Sequence, residues 1–497
     1  MKILKTAISL VLVIITLLSA VPFAVNAESK EGTIYPFIPQ VHTYYAEAEN
    51  YIAERLRARD ITIDISMFGI PRDDLIYIYR AVMFDNPDIF YVDSAYIPYK
   101  YDKENGIIAI IVPQYIFKRS KIPSYVKKFN SACDNMISGI KSSWTDFQKA
   151  LVIHDRIVAH CAYKSQNLKS YTAYNVIVKG KGICEGYARA YCYLLSLVGV
   201  DSKCINNESK SHCWNVVKID GNWYQVDVTS DDPYPDTSGY VRHKFFLLTD
   251  TGLLNCKSGT HSGFKKDITY SSAYKCSSSK YNGSFFRNIT SQIVYKNKAY
   301  YYFNNNYKKK RYSALMRRKS GSKKAVKVIK DKWRYSNGVR INASYCKLCE
   351  IGDYIFFNSK RKIFRLNTNT GKIKRMMTLP SFKKMNYIGV ESKGKSVYAL
   401  KKNANLTAKA FGKIIKVSSS GKATVIPFLK YKSLNLKKKS SYKLKVYYGS
   451  GKIAYKSSNK RIAKVSSKGA IKAKKKGSCT ITATRNGKKL KCKIKVY

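Results

Sequence analysis

The fold of this chain follows from the stretch GICEGYA at residues 182–188 and from two shorter stretches behind it. Cys184 lies where a glycine turn becomes a helix, because apolar residues recur at helical spacing from Ala188 until Gly199 ends the run. A thiol at a helix N-terminus faces unpaired N–H groups and the positive end of the helix dipole, and both favour the reactive thiolate. The stretch therefore predicts that Cys184 is a nucleophile.

The two further stretches are SHCWN at residues 211–215 and VDVT at residues 226–229. His212 and Asp227 each lie in a strand-like run, and a turn at residues 220–221 joins the runs, so the sequence predicts a hairpin. Its strands would place His212 and Asp227 near one end, where a carboxylate can orient an imidazole and stabilise its charged form. Each residue type alone is usually structural, but together they supply a nucleophile, a base and an orienting acid.

These stretches resemble the transglutaminase-like core, whose fold is related to that of papain-like peptidases. The family pattern is Gly-x-Cys-x-Gly-x-Ala, then His-Ala-Trp-Asn, then Asp-Gly-x-Trp-x-x-Val-Asp-x-Thr. It is matched at residues 182–188, 212–215 and 220–229. The one departure is Cys213 in place of the usual alanine, a small change that leaves the base in place. The resemblance covers about residues 140–250.

The resemblance implies thiol acyl transfer at a peptide or amide carbonyl, with neither a cofactor nor a metal. It assigns the nucleophile to Cys184, the base to His212 and the orienting role to Asp227. Water as the acceptor would make the protein a peptidase or amidase, whereas a lysine amine would make it a cross-linking transglutaminase. The alternative is a non-catalytic surface protein that uses this core as a scaffold for binding or adhesion.

Two further features of the core are less specific. The Cys184 N–H is the natural donor to a developing oxyanion, and Tyr171 and Tyr174 are candidates for a second donor. Asp231 and Asp232 suggest a calcium site, although a solvated acidic turn is the favoured interpretation.

The first 27 residues have the features of a signal peptide. Lys2 and Lys5 form a basic start, residues 7–18 are almost wholly apolar, and residues 25–27 fit the small-x-small cleavage pattern. A transmembrane anchor is the alternative, but the apolar run is short for a span of about 20 residues. We therefore expect a secreted bacterial protein, extracellular or associated with the cell wall, with no transmembrane span in the mature chain.

Composition and pattern divide the chain into six regions. They are a signal peptide (1–27), a helical or mixed lead (28–140), the catalytic core (141–250), a linker (251–285), blade-like β-repeats (286–426) and an Ig-like domain (427–497). The linker assignment rests on a high content of Ser, Gly, Lys and Asn. The expected fold class is a multidomain chain, in which an α+β papain-like core follows a helical lead and precedes all-β repeats and a β-sandwich.

Local patterns predict several elements of the first half. Apolar spacing predicts helices over residues 46–58 and 73–84, and short apolar runs predict strands over residues 90–92 and 107–112. Thr145 is a good N-cap for a long helix at the start of the core.

The C-terminal part is predicted to be all β. Gly321, Gly371 and Gly421 are fifty residues apart, and each lies in a polar turn after two apolar strands, a period typical of propeller blades. Three units are too few for a closed propeller of about 4–8 blades, so an open stack or partial propeller is expected. Residues 427–497 alternate short strands and turns, as a β-sandwich does.

The stretches SSNKRIAKV at residues 457–465 and GSCTITA at residues 477–483, with a glycine turn between them, resemble the bacterial Ig-like group 2 domain. The resemblance implies a surface spacer or an adhesion module, with no catalytic residues.

Charge is distributed very unevenly. Residues 1–250 hold 28 Lys and Arg against 26 Asp and Glu, a net charge of +2, whereas residues 251–497 hold 63 against 5, a net charge of +58. A cationic surface concentrates polyanions around it. For an exported protein the nearest polyanion is a cell-wall polymer or membrane surface rather than nucleic acid, although a lysine-rich lineage bias is the alternative. Besides a peptide or protein substrate, we therefore expect an anionic wall polymer or surface as a partner, and no nucleic acid.

The chain has 12 cysteines, and export permits disulfides. With Cys184 free as a nucleophile, an odd number remains, so at least one more thiol is unpaired. Cys346 and Cys349 have zinc-ligand spacing, but a single CxxC with no nearby histidine is weak evidence for a metal. Cys479 and Cys492 lie on adjacent predicted strands, where they either pair or fill the core.

Overall fold

The computed structural model describes residues 23–24, 44–165, 167–234, 236, 239–256, 259–266, 272–307, 312–331, 347–382, 385–403 and 408–497. The predicted signal peptide lies outside these residues, except for the strand Phe23–Ala24. The chain divides into two compact units, Met1–Ile293 and Val294–Tyr497. In the part of the chain that the structure describes, no helix is both long and apolar enough to cross a lipid bilayer.

The lead region combines three helices with a small sheet. The helices span Ala46–Ala58, Leu75–Asp85 and Ile122–Ile137, with 3-10 turns at Ser66–Phe68, Arg72–Asp74 and Arg119–Lys121. The sheet joins Phe23–Ala24, Tyr99–Tyr101, Ile108–Ile111 and Ile63–Asp64 in that order. Both predicted helices and the predicted strand over residues 107–112 are present, within two residues of their expected bounds.

The strand predicted over residues 90–92 is wrong. The Ile89 N–H donates to the Asn86 carbonyl at 3.0 Å and the Val92 N–H donates to the Ile89 carbonyl at 3.4 Å, so the chain turns here instead of extending. Phe90 is fully buried, and its ring stacks on Tyr174 at 4.7 Å. The apolar run therefore marks buried side chains in a tight turn, which periodicity alone does not distinguish from a short strand.

In the core, helices pack against a three-stranded antiparallel sheet. The helices span Asp146–His160, Ala173–Lys179, Cys184–Ser196, Val228–Asp231 and Asp250–Leu254, with a 3-10 turn at Leu168–Tyr171. The sheet joins Ser202–Asn207, His212–Ile219 and Asn222–Val226, and Ala162–Tyr163 pairs in parallel with Lys181–Gly182. Thr145 caps the first helix through a capping box with Gln148, as its sequence predicts. Ile219 pairs with Asn222 across the predicted hairpin.

The described residues of 251–285, a segment predicted as a linker, instead pack onto the core. Phe264 and Cys276 are buried in one apolar cluster with Trp214. The segment also forms 3-10 turns at Gly259–His261, Phe264–Lys266 and Ser272–Tyr274, and a further one follows at Phe285–Asn288. Its polar composition describes the outward-facing residues, whereas a few buried side chains fix its position.

The second unit begins with three four-stranded antiparallel sheets in which each strand pairs with the next one along the chain. The strands are Val294–Lys296, Ala299–Tyr307, Tyr312–Lys319 and Ala325–Asp331, then Cys349–Ile351, Tyr354–Ser359, Lys362–Asn367 and Ile373–Thr378, then Met385–Lys393, Ser396–Asn403, Ala408–Val417 and Ala423–Val425. Gly321, Gly371 and Gly421 each lie in the turn between the third and fourth strands, at φ of 76°, 71° and 77°. The period seen in the sequence is therefore the repeat of one blade-like sheet.

The middle sheet packs against both of its neighbours. Ile355 and Phe357 belong to an apolar cluster with Tyr301 of the first sheet, whereas Phe356 belongs to a cluster with Val397 of the third. Successive side chains of a strand point to opposite faces, so this strand buries both of them. It therefore reads in the sequence as a continuous apolar run.

The C-terminal part is a β-sandwich. One sheet joins Ser433–Leu436, Lys488–Val496, Gly477–Arg485 and Ile453–Ser457, the other joins Ser441–Lys443, Ala470–Ala473 and Ala463–Val465, and Phe428–Leu429 pairs with Val446–Tyr447. Cys479 and Cys492 are free thiols in the sandwich core. Because Cys479 lies opposite Ile494 and Cys492 opposite Ile481, the two are diagonal neighbours, which stand too far apart for a disulfide. The described residues from 290 onward contain no helix, as the all-β prediction requires.

A buried polar cluster ties the first helix of the core to two later segments. Asp155 accepts hydrogen bonds from His154 Nδ1 at 2.9 Å, from His243 Nε2 at 2.9 Å and from the Ile293 N–H at 2.5 Å. His154 Nε2 lies 3.3 Å from Asp231. Burial opposes the charged form of His154, but the two neighbouring carboxylates raise its pKa to about 9. The protonated ring therefore bridges two buried acids.

Replacing Asp155 by asparagine should destabilise the protein by about 3 kcal/mol or more, because it removes the charge that two buried histidines face. The measurement is thermal unfolding of the full chain near pH 7. Thr145→Ala, which removes only the side-chain cap of the same helix, is the control and should cost about 1 kcal/mol. Equal unfolding temperatures for Asp155→Asn and the wild type would contradict the role of this cluster.

The pH dependence of stability gives a second readout of the same substitution. The pKa of His154 is raised from 6.5 to about 9 on folding. Its contribution is therefore complete below about pH 6.5 and is lost as the pH rises through about 9. The unfolding temperature of the wild type should fall over this range, and the fall should be smaller in the Asp155→Asn protein.

Candidate active site

The helix Cys184–Ser196 begins at the predicted nucleophile, so the Cys184 N–H belongs to the first turn, where N–H groups have no partner within the helix. A Cβ atom on Gly182 would lie 2.5 Å from Val176 Cγ2, and one on Gly186 would lie 2.7 Å from the Ser170 carbonyl oxygen. Only glycine lets the neighbouring turn and helix pass this close on both sides of the cysteine. This close approach is the physical basis of the Gly-x-Cys-x-Gly pattern.

The structure brings the three predicted site residues together. His212 Nε2 lies 2.8 Å from Asp227 Oδ2, and the Cys184 thiol lies 4.0 Å from the carbonyl oxygen of Ser211, the residue before His212. Cys184 is 5% exposed and His212 is 7% exposed, so little of either side chain reaches solvent.

Burial and charge together set the protonation of the His212–Asp227 pair. Burial pushes the pKa of His212 down, but the Asp227 carboxylate outweighs it and, with the Cys184 thiol, raises that pKa to about 10. Burial alone would raise the pKa of Asp227, yet the charge of His212 and its hydrogen bond hold that pKa well below its usual range. The pair is therefore an imidazolium and a carboxylate across the neutral range.

A second histidine shares the Asp227 carboxylate. His261 is fully buried, and its Nε2 lies 2.8 Å from Asp227 Oδ2. Its Nδ1 has no hydrogen-bond partner among the described residues. Asn207 holds the backbone on both sides of this histidine, donating to the carbonyls of Thr260 and Ser262 at 3.1 Å each. Sequence reasoning missed His261, because it lies in the segment predicted as a linker and no motif marks it.

Trp214 packs against both imidazoles. Its ring stacks on His212 at 5.7 Å and meets His261 edge-on at 5.1 Å. Its Nε1 donates to Gln225 at 2.7 Å, and Gln225 donates to Asp250 at 2.9 Å. The His-x-Trp spacing of the motif therefore places a fixed aromatic surface beside the predicted base.

The lead region supplies side chains to the site. Phe84 is buried in one apolar cluster with Cys184. Arg80 lies 3.6 Å from Glu185, the residue after the nucleophile, and over the Phe84 ring at 4.9 Å. Glu185 also pairs with Arg189, one turn further along the helix, at 3.3 Å. A region predicted only as a helical lead therefore forms part of the surroundings of the thiol.

Two predictions near the site are corrected. Tyr174, a candidate oxyanion donor, instead packs its ring in the aromatic cluster of the lead, with its hydroxyl buried. Asp231 and Asp232, interpreted as a solvated acidic turn, are buried. Asp231 accepts from the Phe245 N–H at 3.1 Å and Asp232 from the Tyr187 hydroxyl at 2.5 Å. Both carboxylates therefore face protein donors inside the core instead of lying in a solvated turn.

Two groups of side chains have the composition of a metal site, with ligating atoms within 4.8 Å of one another. They are His212, Asp227 and His261 in one group, and His154, Asp155 and His243 in the other. In both groups the histidine nitrogens lie 2.8 or 2.9 Å from a carboxylate oxygen, which is a hydrogen-bond distance. Two ligands of one tetrahedral zinc ion stand about 3.3 Å apart, so the present geometry is that of hydrogen-bonded pairs. Of the zinc-like CxxC, Cys346 lies outside the described residues and Cys349 is buried in an apolar cluster.

Two solved structures that align with parts of the chain are distant from it in sequence. A crystal structure of a TGase aligns at 10% identity over 31% of this chain and 48% of its own length, with a TM-score of 0.20. This chain therefore spans about half of that protein. Domains 4 and 5 of the S-layer protein SbsC align at 14% identity over 42% of this chain and 94% of their own length, with a TM-score of 0.13. TM-scores this low do not establish a shared fold, and no curated protein matches the chain.

Two sequence families match parts of the chain. The profile of the Transglutaminase-like superfamily matches residues 134–228, which include all three predicted site residues. The profile of the Bacterial Ig-like domain (group 2) matches residues 428–496, which form the C-terminal sandwich. The chain therefore carries a transglutaminase-like superfamily domain in its first unit and a bacterial Ig-like domain of group 2 at the end of its second.

Proposed function

We propose that this protein is a thiol acyl-transfer enzyme that acts on peptide or amide bonds through Cys184, His212 and Asp227. The proposal rests on the buried His212–Asp227 pair, 2.8 Å apart, beside a thiol at the start of a helix. The superfamily match over residues 134–228 supports the same class of chemistry.

The reaction begins from an ion pair. The helix N-terminus and the His212 imidazolium both stabilise the Cys184 thiolate, which attacks the substrate carbonyl. The Cys184 N–H donates to the oxyanion that develops. His212 then gives its proton to the leaving amine, and a thioester remains. Asp227 keeps the ring oriented and stabilises its charge throughout.

Either water or an amine completes the cycle. The neutral His212 takes a proton from the acceptor, which attacks the thioester and releases Cys184. We propose hydrolysis of wall or exogenous peptides as the principal outcome and cross-linking to a lysine amine as the second candidate. The two are separated by supplying a labelled primary amine with a glutamine-rich peptide, because only cross-linking incorporates the label.

A non-catalytic scaffold is the alternative. A scaffold has no need of a thiol at a helix N-terminus beside an imidazole–carboxylate pair, whereas nucleophilic catalysis requires all three groups together. The complete set of nucleophile, base and orienting acid therefore favours catalysis over binding alone.

We further propose that the protein works outside the cell, held at an anionic surface by its C-terminal half. An Ig-like domain fits an extracellular protein, and residues 251–497 carry a net charge of +58. The last strand illustrates how the fold presents this charge. Its alternate residues Lys491, Lys493 and Lys495 are exposed, while the residues between them are buried in the sandwich core.

Substitutions at the site should have unequal effects. Cys184→Ala removes the atom that forms the thioester, so release of ammonia or a new amine from a glutamine-rich or wall-derived peptide should fall to background. His212→Ala should cause a loss of similar size, and Asp227→Ala a smaller one, because the thiol and base remain but are misoriented.

Cys213→Ala is the matched control for a nonspecific cysteine effect and should change little. The thermal transition of each variant reports whether it folds. Full activity in Cys184→Ala together with loss of activity in Cys213→Ala would show that the nucleophile is misassigned.

His261 should act as a positioning residue for Asp227. His261→Phe removes one hydrogen bond to an ionised group, worth about 1.5–3 kcal/mol, and should lower kcat/KM roughly tenfold or more. His261→Gln keeps an N–H near the same place and should retain most of the activity. Without His261, the charge of Asp227 acts more strongly on His212 and raises the pKa of that imidazole. The alkaline limb of the pH profile of kcat/KM should therefore move to higher pH in His261→Phe. An unshifted limb in a folded variant would assign His261 a purely structural role.

Retention of the full chain on purified cell walls should fall steeply with salt, because many exposed charge contacts are screened at a Debye length of about 3 Å in 1 M salt. The variant with Lys491, Lys493 and Lys495 changed to glutamine should elute at lower salt than the wild type. The matched variant with the same three residues changed to arginine should elute with the wild type. Retention that does not depend on salt would refute the charge-based mechanism.

A further inference from the structure

Two free thiols face each other behind the nucleophile. Cys192 lies on the helix that begins at Cys184, and Cys204 lies on the strand Ser202–Asn207. Their sulfur atoms are 3.6 Å apart, and both residues are partly exposed. Sulfur atoms at this separation reach bonding distance by small side-chain rotations, without a change of partner elements.

We propose that Cys192 and Cys204 form a disulfide bond in the mature protein, which cross-links the helix of the nucleophile to the sheet of the base. The cross-link is independent of the acyl-transfer proposal, because neither sulfur takes part in that chemistry. The bond joins the helix that begins at Cys184 to the sheet that carries His212. The separation of this helix and this sheet sets the distance from Cys184 to His212.

The surroundings of the two thiols single out this pair. Asn215 donates its amide N–H groups to the Ala188 carbonyl at 3.0 Å, to Cys192 Sγ at 3.1 Å and to Cys204 Sγ at 3.8 Å. The sulfurs of a disulfide act only as acceptors, so these amide donors suit the oxidised pair as well as the thiols. Asn215 also lies directly opposite Cys204 on the neighbouring strand, which fixes the position of that sulfur.

A third thiol nearby is a poorer partner for Cys204. Cys213 lies opposite Asn206, two residues from Cys204 in the strand register, so the two cysteines are diagonal neighbours. Cys204 packs against the apolar cluster that contains Cys213, but diagonal neighbours on antiparallel strands have Cβ atoms only somewhat less than about 7–8 Å apart, whereas a disulfide needs about 4 Å. Cys213 is also fully buried, out of reach of an external oxidant.

The bond forms by thiol–disulfide exchange with a disulfide-containing oxidant of the extracellular side. The thiolate of one cysteine attacks the oxidant and displaces its first thiol, which leaves a mixed disulfide. The thiolate of the second cysteine then attacks the protein sulfur and displaces the second thiol. Two S–H bonds are lost and one S–S bond is formed, while the oxidant takes up two electrons and carries away both protons as two thiols.

The test uses the full chain, incubated with oxidised glutathione. The hydrogen bond with Cys204 and burial raise the pKa of the Cys192 thiol well above its ordinary value, so the incubation is long and at pH 8.5. Remaining thiols are blocked with N-ethylmaleimide in denaturant, which exposes the buried ones, and the unreduced protein is digested and mapped by mass spectrometry. We expect one pair of peptides that joins Cys192 to Cys204 and separates on reduction, with Cys213 blocked by the maleimide.

Variants and stability supply the second measurement. Oxidation should raise the unfolding temperature of the first unit by roughly 5 °C, an effect that Cys192→Ser and Cys204→Ser should both abolish and Cys213→Ala should keep. Cys192 and Cys204 both blocked by the maleimide after oxidation, or Cys204 joined to Cys213, would overturn the proposal. The peptide map of the wild type decides the matter even if a serine variant fails to fold.

Discussion

The buried carboxylate of Asp227 is the constraint on which the arrangement of the site depends. A charge removed from water must be met by donors, and here they come from three segments of the chain. His212 and His261 each approach Oδ2 at 2.8 Å, and Ser230 donates its backbone N–H to Oδ1 and its hydroxyl to Oδ2. The sheet, the loop that Asn207 holds and the short helix after Asp227 must therefore converge at one point, and the convergence gives the predicted base its orientation.

A second buried acid extends this requirement into the body of the unit. Asp231 ends the single-turn helix that Asp227 caps, and it accepts from the Phe245 N–H and faces His154. His154 in turn bonds Asp155, which also receives His243 and the Ile293 N–H. Hydrogen bonds and buried charges thus connect Ile293, the last residue of the first unit, to Asp227, the carboxylate beside His212. Each buried charge needs a partner of its own. These partners fix the positions of more segments of this unit than its apolar core alone would.

Features that depend on neighbours in the chain were predictable, whereas features that depend on distant contacts were not. Helical spacing located the helix Ala46–Ala58, and the hairpin turn placed His212 close to Asp227, because both are matters of a few residues. The chain turns at Phe90 instead of extending because the Phe90 ring stacks on Tyr174, which lies far along the chain. His261 reaches Asp227 from 34 residues away, through a polar segment whose composition describes only its exposed side. The blade-like sheets were predictable because each pairs its strands in chain order, so a local repeat contains the whole topology.

The contacts of Phe84, Arg80 and His261 determine how far the transglutaminase-like domain can be separated from the rest of the first unit. The superfamily profile covers residues 134–228, yet two of these side chains precede that range and one follows it. Excision at the profile's limits would strip an aromatic ring from beside Cys184, leave Glu185 without Arg80 and withdraw one donor from Asp227. A gene fusion, natural or engineered, should therefore be joined after Ile293, where the two compact units divide. The segment that can be transferred intact is the whole first unit.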